Sequence, residues 1–189
     1  MVARPKSDFI SPEEYLEIEE QNTIRHEYID GQMYAMSGGT DSHNIIGGNL
    51  YMLLRNHVRG TDCQVYFNDV KAQIEKQNRF YYPDLMVAGD PRDRETSVYK
   101  QFPKLIVEVL SPSTEGFDRG DKFNDYQTLE TWEEYVLVNT KQQRVDIFRC
   151  HGKQQWSFQS YTQDSGTFAL QSLGLEVSFD PSYKDAGID

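Results

Sequence analysis

The feature that most constrains the fold is a short apolar run, Leu105–Leu110 (LIVEVL), that one glutamate interrupts. A nearly continuous aliphatic run of this length is typical of a central strand that other elements cover on both faces. Alternation along a strand places Glu108 on the same face as Ile106 and Leu110. A buried carboxylate is costly unless it is paired, protonated or bound to a metal. The alternative is a glutamate at a strand end that pairs with an Arg or Lys or reaches solvent.

The remaining pattern predicts helices around a mixed sheet. Ser11-Pro12-Glu13-Glu14 carries a capping box that begins a first helix, and a second helix extends from near Asp41 to Gly60. A hairpin is predicted between Arg25 and Met36, with its turn at Asp30-Gly31. Further strands are predicted at Gln64–Glu75, Pro83–Ala88, Leu105–Leu110, Glu134–Asn139, Arg144–Cys150 and Trp156–Tyr161, and a charged helix at Phe117–Thr131. We therefore predict an α/β (α+β) domain in which helices flank a mixed central sheet.

The length and the absence of internal repeats indicate a single domain. We expect an N-terminal arm at residues 1–10, one domain at residues 11–175, and an acidic C-terminal tail at residues 176–189. The stretch from Gln163 onward is expected to form a late edge strand and a frayed end. No apolar stretch approaches the roughly 20 residues that span a bilayer, and the first residues lack the apolar core of a secretory signal. Two cysteines cannot form a disulfide framework. We expect a soluble cytoplasmic protein with no membrane partner.

The charge balance limits the partners that the surface can bind without specificity. Lys and Arg number 19 and Asp and Glu number 30, so the net charge is −11. Such a surface does not favour non-specific binding of polyanions. It leaves open a local basic groove or a phosphate bridged by a cation.

A second candidate carboxylate is Asp84, in the segment Tyr82–Val87 (YPDLMV). Its proline suits the start of a strand, and Asp84 directly precedes the apolar run. The alternative is an ordinary turn aspartate. If the strands that carry Asp84 and Glu108 are neighbours, the two carboxylates converge, and a divalent cation relieves their repulsion. Oxygen ligands of this kind suit Mg²⁺ or Mn²⁺, which lower the pKa of a bound water and stabilise charge on a phosphodiester.

A lysine follows the Glu108 strand at the start of the next helical region. Lys122 shares one helical stripe with Asp125 and Tyr126. An ammonium at this position can orient an attacking water or neutralise a charged transition state. The alternative is a solvated surface lysine that pairs with Asp118 or Asp125.

Several short motifs, in order and spacing, resemble one known family. They are Arg25–Gln32 (RHEYIDGQ), Met36-Ser37, His43, Pro83-Asp84, Glu108–Thr114 (EVLSPST), Asp118–Lys122 (DRGDK) and Glu134–Val138 (EYVLV). This set resembles the Uma2 (DUF820) family, which is similar to the PD-(D/E)XK restriction-endonuclease-like nucleases. By eye the resemblance covers roughly Ser11 to Leu175.

The resemblance implies a restriction-endonuclease-like fold with a four-stranded mixed β-core and a metal site. Carried over by position, Asp84 and Glu108 are the metal ligands, and the main-chain carbonyl of Val109 also faces the metal. The sequence departs from the parent pattern because Leu110 stands where a lysine is expected two residues after the glutamate. The resemblance implies that Lys122 supplies the ammonium instead.

Two further residues receive roles from their positions. Glu27 resembles the additional acidic residue that such nucleases place before the Pro-Asp strand, and its alternative is a partner for Arg25 or Lys71. His43 is a candidate general base or phosphate contact, and hence a candidate substrate-binding residue. Its alternative is a histidine at a helix start that hydrogen-bonds the preceding loop.

Three functional hypotheses follow. The leading hypothesis is an endonuclease that depends on Mg²⁺ or Mn²⁺, uses no small-molecule cofactor and hydrolyses phosphodiester bonds of DNA; cleavage of both strands favours a twofold homodimer. The second is a nuclease-like scaffold that binds nucleic acid or protein without turnover, which Leu110 and the net charge motivate. A third is glycoside hydrolysis by a carboxylate pair without a metal.

Overall fold

The fold is built around a six-stranded mixed sheet, seen in a computed structural model that describes residues 9–152 and 155–188. Within those residues the α-helices are α1 (Pro12–Gln21), α2 (Asp41–His57), α3 (Glu115–Arg119), α4 (Asp121–Tyr126) and α5 (Phe179–Tyr183). The strands there are β1 (His26–Ile29), β2 (Gln32–Ala35), β3 (Gln64–Phe67), β4 (Lys71–Ile74), β5 (Arg79–Tyr81), β6 (Leu85–Ala88), β7 (Tyr99–Lys100), β8 (Pro103–Val109), β9 (Glu134–Val138), β10 (Arg144–Cys150), β11 (Trp156–Thr162), β12 (Thr167–Leu170) and β13 (Leu175–Ser178).

The strands form three sheets. The largest has the order β11-β10-β9-β8-β6-β3, and only its β8–β9 pair is parallel within the described residues. A second sheet has the order β2-β1-β5-β4-β7, and β12 pairs with β13. The predicted mixed α+β architecture is confirmed, although the largest sheet has six strands rather than the four that the resemblance implies.

Strand β8 is covered on both faces, as its aliphatic sequence predicts. Val107 and Val109 face one hydrophobic core, whereas Ile106 and Leu110 face a second. Glu108 lies on the second face, where its carboxylate accepts a hydrogen bond from a tyrosine of that core. The side-chain alternation of a strand therefore places a carboxylate against an apolar core.

The predicted start and turn signals of the N-terminal half are confirmed. The Glu14 N–H donates to Ser11 Oγ (3.2 Å), and the Ser11 N–H donates to Glu14 Oε2 (2.8 Å), which completes the capping box of α1. Asp30 and Gly31 have φ angles of +49° and +90° and connect β1 to β2. Positive φ at both central residues is the requirement of a type I′ hairpin turn.

Two segments that were predicted as single elements are divided. Residues 64–75 form β3 and β4, which belong to different sheets, and Asn68 between them has a φ of +33°. The helix predicted at residues 117–131 is the short pair α3 and α4, which is divided at Gly120. A Cβ at Gly120 would lie 3.1 Å from the Gly116 carbonyl oxygen, so the chain comes close to itself at this point. Strands β5 and β7 were not predicted, because each has three residues or fewer.

The C-terminal segment is packed, so the expected frayed end is wrong. Val177, Phe179 and Tyr183 are buried in the core that covers the Val107 face of β8. Their apolar side chains alternate with the acidic residues that suggested a solvated tail. Of the arm predicted at residues 1–10, only residues 9 and 10 are described, and Asp189 at the other end also lies outside the described residues. None of the helices in the described part of the chain is long and apolar enough to cross a bilayer.

Candidate active site

The two predicted carboxylates meet at the end of the β6–β8 ladder. In this antiparallel pair Leu85 lies opposite Val107, so Asp84 lies beside Glu108. The Asp84 N–H donates to Glu108 Oε2 (3.3 Å), and the Val109 N–H donates to Asp84 Oδ2 (2.7 Å). The predicted convergence of the two carboxylates is therefore confirmed.

Glu108 is a buried carboxylate with two hydrogen-bond donors. Its residue is 3% exposed, and its Oε1 lies 3.2 Å from both Lys122 Nζ and the Tyr126 hydroxyl, which donate to it. Burial raises the pKa of Glu108 well above its ordinary value; the charge of Lys122 opposes this rise, and neighbouring carboxylates add to it. The alternative of a glutamate that reaches solvent is wrong. The alternative of a glutamate that pairs with a lysine is correct in that Glu108 contacts Lys122.

Lys122 projects from α4 into the same buried space. Its Nζ lies 3.0 Å from Glu27 Oε1, 3.2 Å from Glu108 Oε1 and 3.4 Å from Asp118 Oδ1. The residue is 6% exposed, so the alternative of a solvated surface lysine is wrong. Burial lowers the pKa of Lys122, but the three carboxylates outweigh burial and raise it well above its ordinary value. The side chain therefore carries a positive charge at neutral pH.

Glu27 reaches the site from β1. Its Oε1 accepts the Tyr82 N–H (3.3 Å) as well as contacting Lys122. Its ion-pair partner is thus Lys122 rather than Arg25 or Lys71, and Arg25 pairs instead with Asp69.

His43 lies in the first turn of α2 and contacts the candidate ligand Asp84. Its Nε2 lies 3.0 Å from Asp84 Oδ1. The alternative, a bond to the preceding loop, is also present, because the His43 backbone N–H donates to Thr40 Oγ1 (3.3 Å). The hydrogen bond to Asp84 raises the pKa of His43, against the effect of burial, and the Val109 carbonyl adds to the rise. Among the described residues its Nδ1 has no hydrogen-bond partner. The neighbouring Gly39 leaves room for the ring, since a Cβ there would lie 3.0 Å from His43 Cδ2.

Sequence reasoning did not propose Asp118 as a site residue. It lies on α3, is 2% exposed and pairs with Lys122 at a spacing of four residues. Burial raises the pKa of Asp118, while the charge of Lys122 opposes the rise. The spacing of Asp118 and Lys122 was the available signal, but such pairs are usually solvated.

These side chains line one pocket with a volume of about 310 Å³. Its walls include the loop at residues 36–40 and the loop at residues 111–114. The charged lining residues are four carboxylates and one ammonium, those of Glu27, Asp84, Glu108, Asp118 and Lys122. This excess of negative charge in a partly buried space favours a cation.

The donor set fits a hard divalent cation. Within residues 9–152 and 155–188, no group of three or more His, Cys, Asp or Glu side chains is arranged to hold a metal by itself. Mg²⁺ is commonly held by one or two carboxylates and keeps several waters, so a complete cage of side chains is not required. Asp84 and Glu108, which lie side by side at the end of the β6–β8 ladder, offer oxygen donors of this kind.

The fold and the pocket define a class of protein, a restriction-endonuclease-like fold with buried carboxylates at the end of its central strands. The structure resembles the crystal structure of a protein from Anabaena variabilis ATCC 29413 that is described as "a putative nuclease belonging to DUF820", with a TM-score of 0.73. The two chains are 15% identical, and the match covers 92% of this chain and 97% of the other. At this identity the likeness shows the fold alone.

Sequence comparison then identifies the family. The sequence model described as "Uma2: Putative restriction endonuclease" matches residues 12–181, so the chain belongs to the Uma2 family. Two relatives come from Synechocystis sp. (strain ATCC 27184 / PCC 6803 / Kazusa). "Uncharacterized protein slr1290" is 41% identical over 93% of this chain and 92% of its own length. "Uncharacterized protein sll1609" is 32% identical over 82% of this chain and 89% of its own length.

Proposed function

We propose that this chain is a divalent-metal-dependent endonuclease that hydrolyses phosphodiester bonds of DNA. The observation that carries the proposal is the convergence of Asp84 and Glu108 beside the buried ammonium of Lys122. Membership of a family described as a restriction endonuclease supports the same reaction class.

Asp84, Glu108 and the Val109 carbonyl are the proposed ligands of Mg²⁺ or Mn²⁺. A bound cation of this type lowers the pKa of a coordinated water and stabilises charge on the phosphodiester. The Val109 N–H holds one oxygen of Asp84, and His43 Nε2 holds the other. We assign His43 the role of orienting this carboxylate, and its imidazole also lines the pocket where a phosphate would lie.

Lys122 is the proposed source of positive charge for the transition state. Hydrolysis consumes one water, whose oxygen forms a new bond to phosphorus while one ester P–O bond breaks. The attacking water gives up one proton and the leaving oxygen takes one up, so the products are a phosphomonoester and an alcohol. Negative charge builds on the phosphate in the transition state. A preorganised ammonium stabilises such charge without reorganising solvent. Glu27 and Asp118 hold Lys122 in position from two other elements.

Plasmid cleavage with and without Mn²⁺ tests the proposal. Wild type should nick or linearise the DNA only with the metal, and Asp84→Asn and Glu108→Gln should each lose activity while circular dichroism shows that they remain folded. Glu133→Gln is a matched control, because Glu133 is half-exposed and its only ion pair is with Lys104 in the described part of the chain. Equal cleavage by wild type and Glu108→Gln would contradict the assignment.

A nuclease-like scaffold without turnover is the second candidate. Among the described residues that line the pocket, Lys122 is the only Lys or Arg, and three carboxylates already engage it. A site so poor in free cations favours weak DNA affinity. This candidate predicts binding of nucleic acid or protein without metal-dependent cleavage, and product formation that requires both Mg²⁺ and Glu108 rejects it.

A further inference from the structure

One aromatic ring stands exposed on the wall of the pocket. Tyr34 lies on β2, the edge strand of the five-stranded sheet, and is 48% exposed. It is the cross-strand partner of Glu27, so both side chains project from the same face of the hairpin. Glu27 reaches Lys122, and Tyr34 lines the same pocket as Asp84. Tyr34 therefore shares a wall of the pocket with Glu27.

The proposed reacting groups lie below the protein surface. Glu108 and Lys122 are buried, whereas Tyr34 and Ser113 on the walls are exposed. Duplex DNA is stiff over many base pairs, so bending its backbone into a recessed pocket costs deformation energy. A single strand can bend into such a pocket without that cost.

The charges around the pocket disfavour duplex binding. Duplex affinity depends on many Lys or Arg contacts to phosphates. Within residues 9–152 and 155–188 the pocket supplies only Lys122, which three carboxylates engage. In the adjoining cavity, Arg25 is paired with Asp69. Stacking of bases on aromatic rings is the alternative source of affinity, and it does not depend on sequence.

We infer that the pocket takes single-stranded DNA, with one base stacked on the Tyr34 ring and the adjacent phosphate at Asp84 and Glu108. The inference rests on the proposed nuclease function and names the substrate form. Tyr34 acts as the residue that selects it. Hydrolysis of one strand needs only one copy of the site, so the twofold dimer that duplex cleavage favours is not required.

Binding and cleavage on the same samples test the inference separately. A fluorescent oligonucleotide is offered single-stranded and as a duplex of the same sequence, first for anisotropy without metal and then for cleavage with Mn²⁺. The variants are Tyr34→Ala and Tyr34→Phe. Phe158→Ala is the matched control, since Phe158 is an exposed aromatic residue on the edge strand β11 and does not line the pocket.

Wild type should bind and cut the single strand at least about tenfold better than the duplex. Tyr34→Ala should lose about 5-fold to 150-fold in single-strand affinity, the range of one base–aromatic stack. Tyr34→Phe keeps the ring and loses only the hydroxyl bond to Gln32, so it should stay near wild type. Phe158→Ala should also match wild type.

Two results overturn the inference. In the first, wild type binds or cuts the duplex with the same efficiency as the single strand. In the second, Tyr34→Ala binds the single strand with unchanged affinity. If either accompanies metal-dependent cleavage, the substrate form is wrong and the nuclease function stands. If Tyr34-dependent single-strand binding occurs without any cleavage, the nuclease function is wrong and the strand preference stands.

Discussion

Lys122 and Glu108 are separated by 14 positions in the chain, and Lys122 Nζ lies 3.2 Å from Glu108 Oε1. The contact depends on how α4 packs against the second face of β8. Tyr126, one turn after Lys122, is buried in that core and donates to the same oxygen of Glu108. This packing holds α4 so that Lys122 places its ammonium beside Glu108. Strand β8 supplies no ammonium of its own, because Leu110 packs in the core.

In the metal-free protein, Glu108→Gln should reduce the fall in the free energy of unfolding that accompanies a rise in pH. The pKa of Glu108 is raised from its ordinary value near 4.5, so the folded state favours the protonated form. Its contribution to stability is complete below that ordinary value and is lost as the pH rises through the raised pKa. Urea unfolding at about pH 5 and about pH 8 should show a smaller decrease in Glu108→Gln than in wild type. An identical decrease in both proteins would contradict a buried, ionising Glu108.

Metal binding should weaken as the pH falls. A metal binds the ionised carboxylate, so protons compete with the metal for Glu108. Because the pKa of Glu108 is raised, this competition begins at a higher pH than for an ordinary glutamate. Calorimetric Mn²⁺ affinity should be constant at high pH and fall by about tenfold per pH unit below that pKa. An affinity that stays constant down to about pH 5 would show that the metal does not need Glu108.

Lys122→Met should separate metal binding from catalysis. The variant keeps the length of the side chain and removes a charge that contacts Glu108 and Glu27. Mn²⁺ should bind about tenfold more tightly at about pH 8, because a competing cation is gone, while cleavage is lost. Calorimetry and plasmid cleavage are measured together, and circular dichroism verifies folding. Lys104→Met, in which a partly exposed lysine is removed, should change neither property.

Unchanged Mn²⁺ affinity in folded Lys122→Met would show that the ammonium does not compete with the metal. Weaker affinity would mean that the lysine supports the ligands instead.

Gly39→Ala should impair the site through His43 without destabilising the protein. The new Cβ would lie 3.0 Å from His43 Cδ2 and 3.2 Å from its Cγ, so the ring beside Asp84 must move by a few tenths of an ångström. A full displacement of about 1 Å can reduce catalysis by about 100-fold, so a smaller loss is expected for this shift. Gly38→Ala is the matched control in the same loop, because a Cβ there meets nothing within 4 Å. Cleavage rates and melting temperatures of the two variants are compared, and equal rates would show that the ring position is unimportant.

Sequence patterns identified the parts of the site that depend on local structure. The aliphatic run around Glu108 and the Pro-Asp strand start indicated two buried strands, and alternation set the face of Glu108. That the two strands are neighbours was only a condition of the prediction, and the β6–β8 pairing supplies it. The burial of Lys122 and Asp118 was beyond this reasoning, since both lie in charged helical sequence that is normally solvated. Their burial results from the packing of α3 and α4, which depends on distant aromatic contacts such as that between Phe123 and Phe148.

The fold was predicted least well where short-range signals are weak. The three-residue strand β5 and the two-residue β7 carry no measurable alternation. The division between β3 and β4 depends on Asn68, whose positive φ is common for asparagine but is not required by it. The C-terminal segment was misjudged because its acidic residues were given more weight than the apolar side chains that anchor it, such as Phe179.

Position 110 has a structural role in this chain and not a chemical one. Leu110 is 2% exposed and packs in the same core as Tyr126 and Trp132, so it serves packing where the parent pattern has a charged group. A pattern search that demands lysine two residues after the glutamate would pass over this chain, although an ammonium is present beside the carboxylate. Recognition of such chains therefore needs a spatial criterion, the distance between a buried glutamate and any lysine, rather than a fixed interval along the sequence.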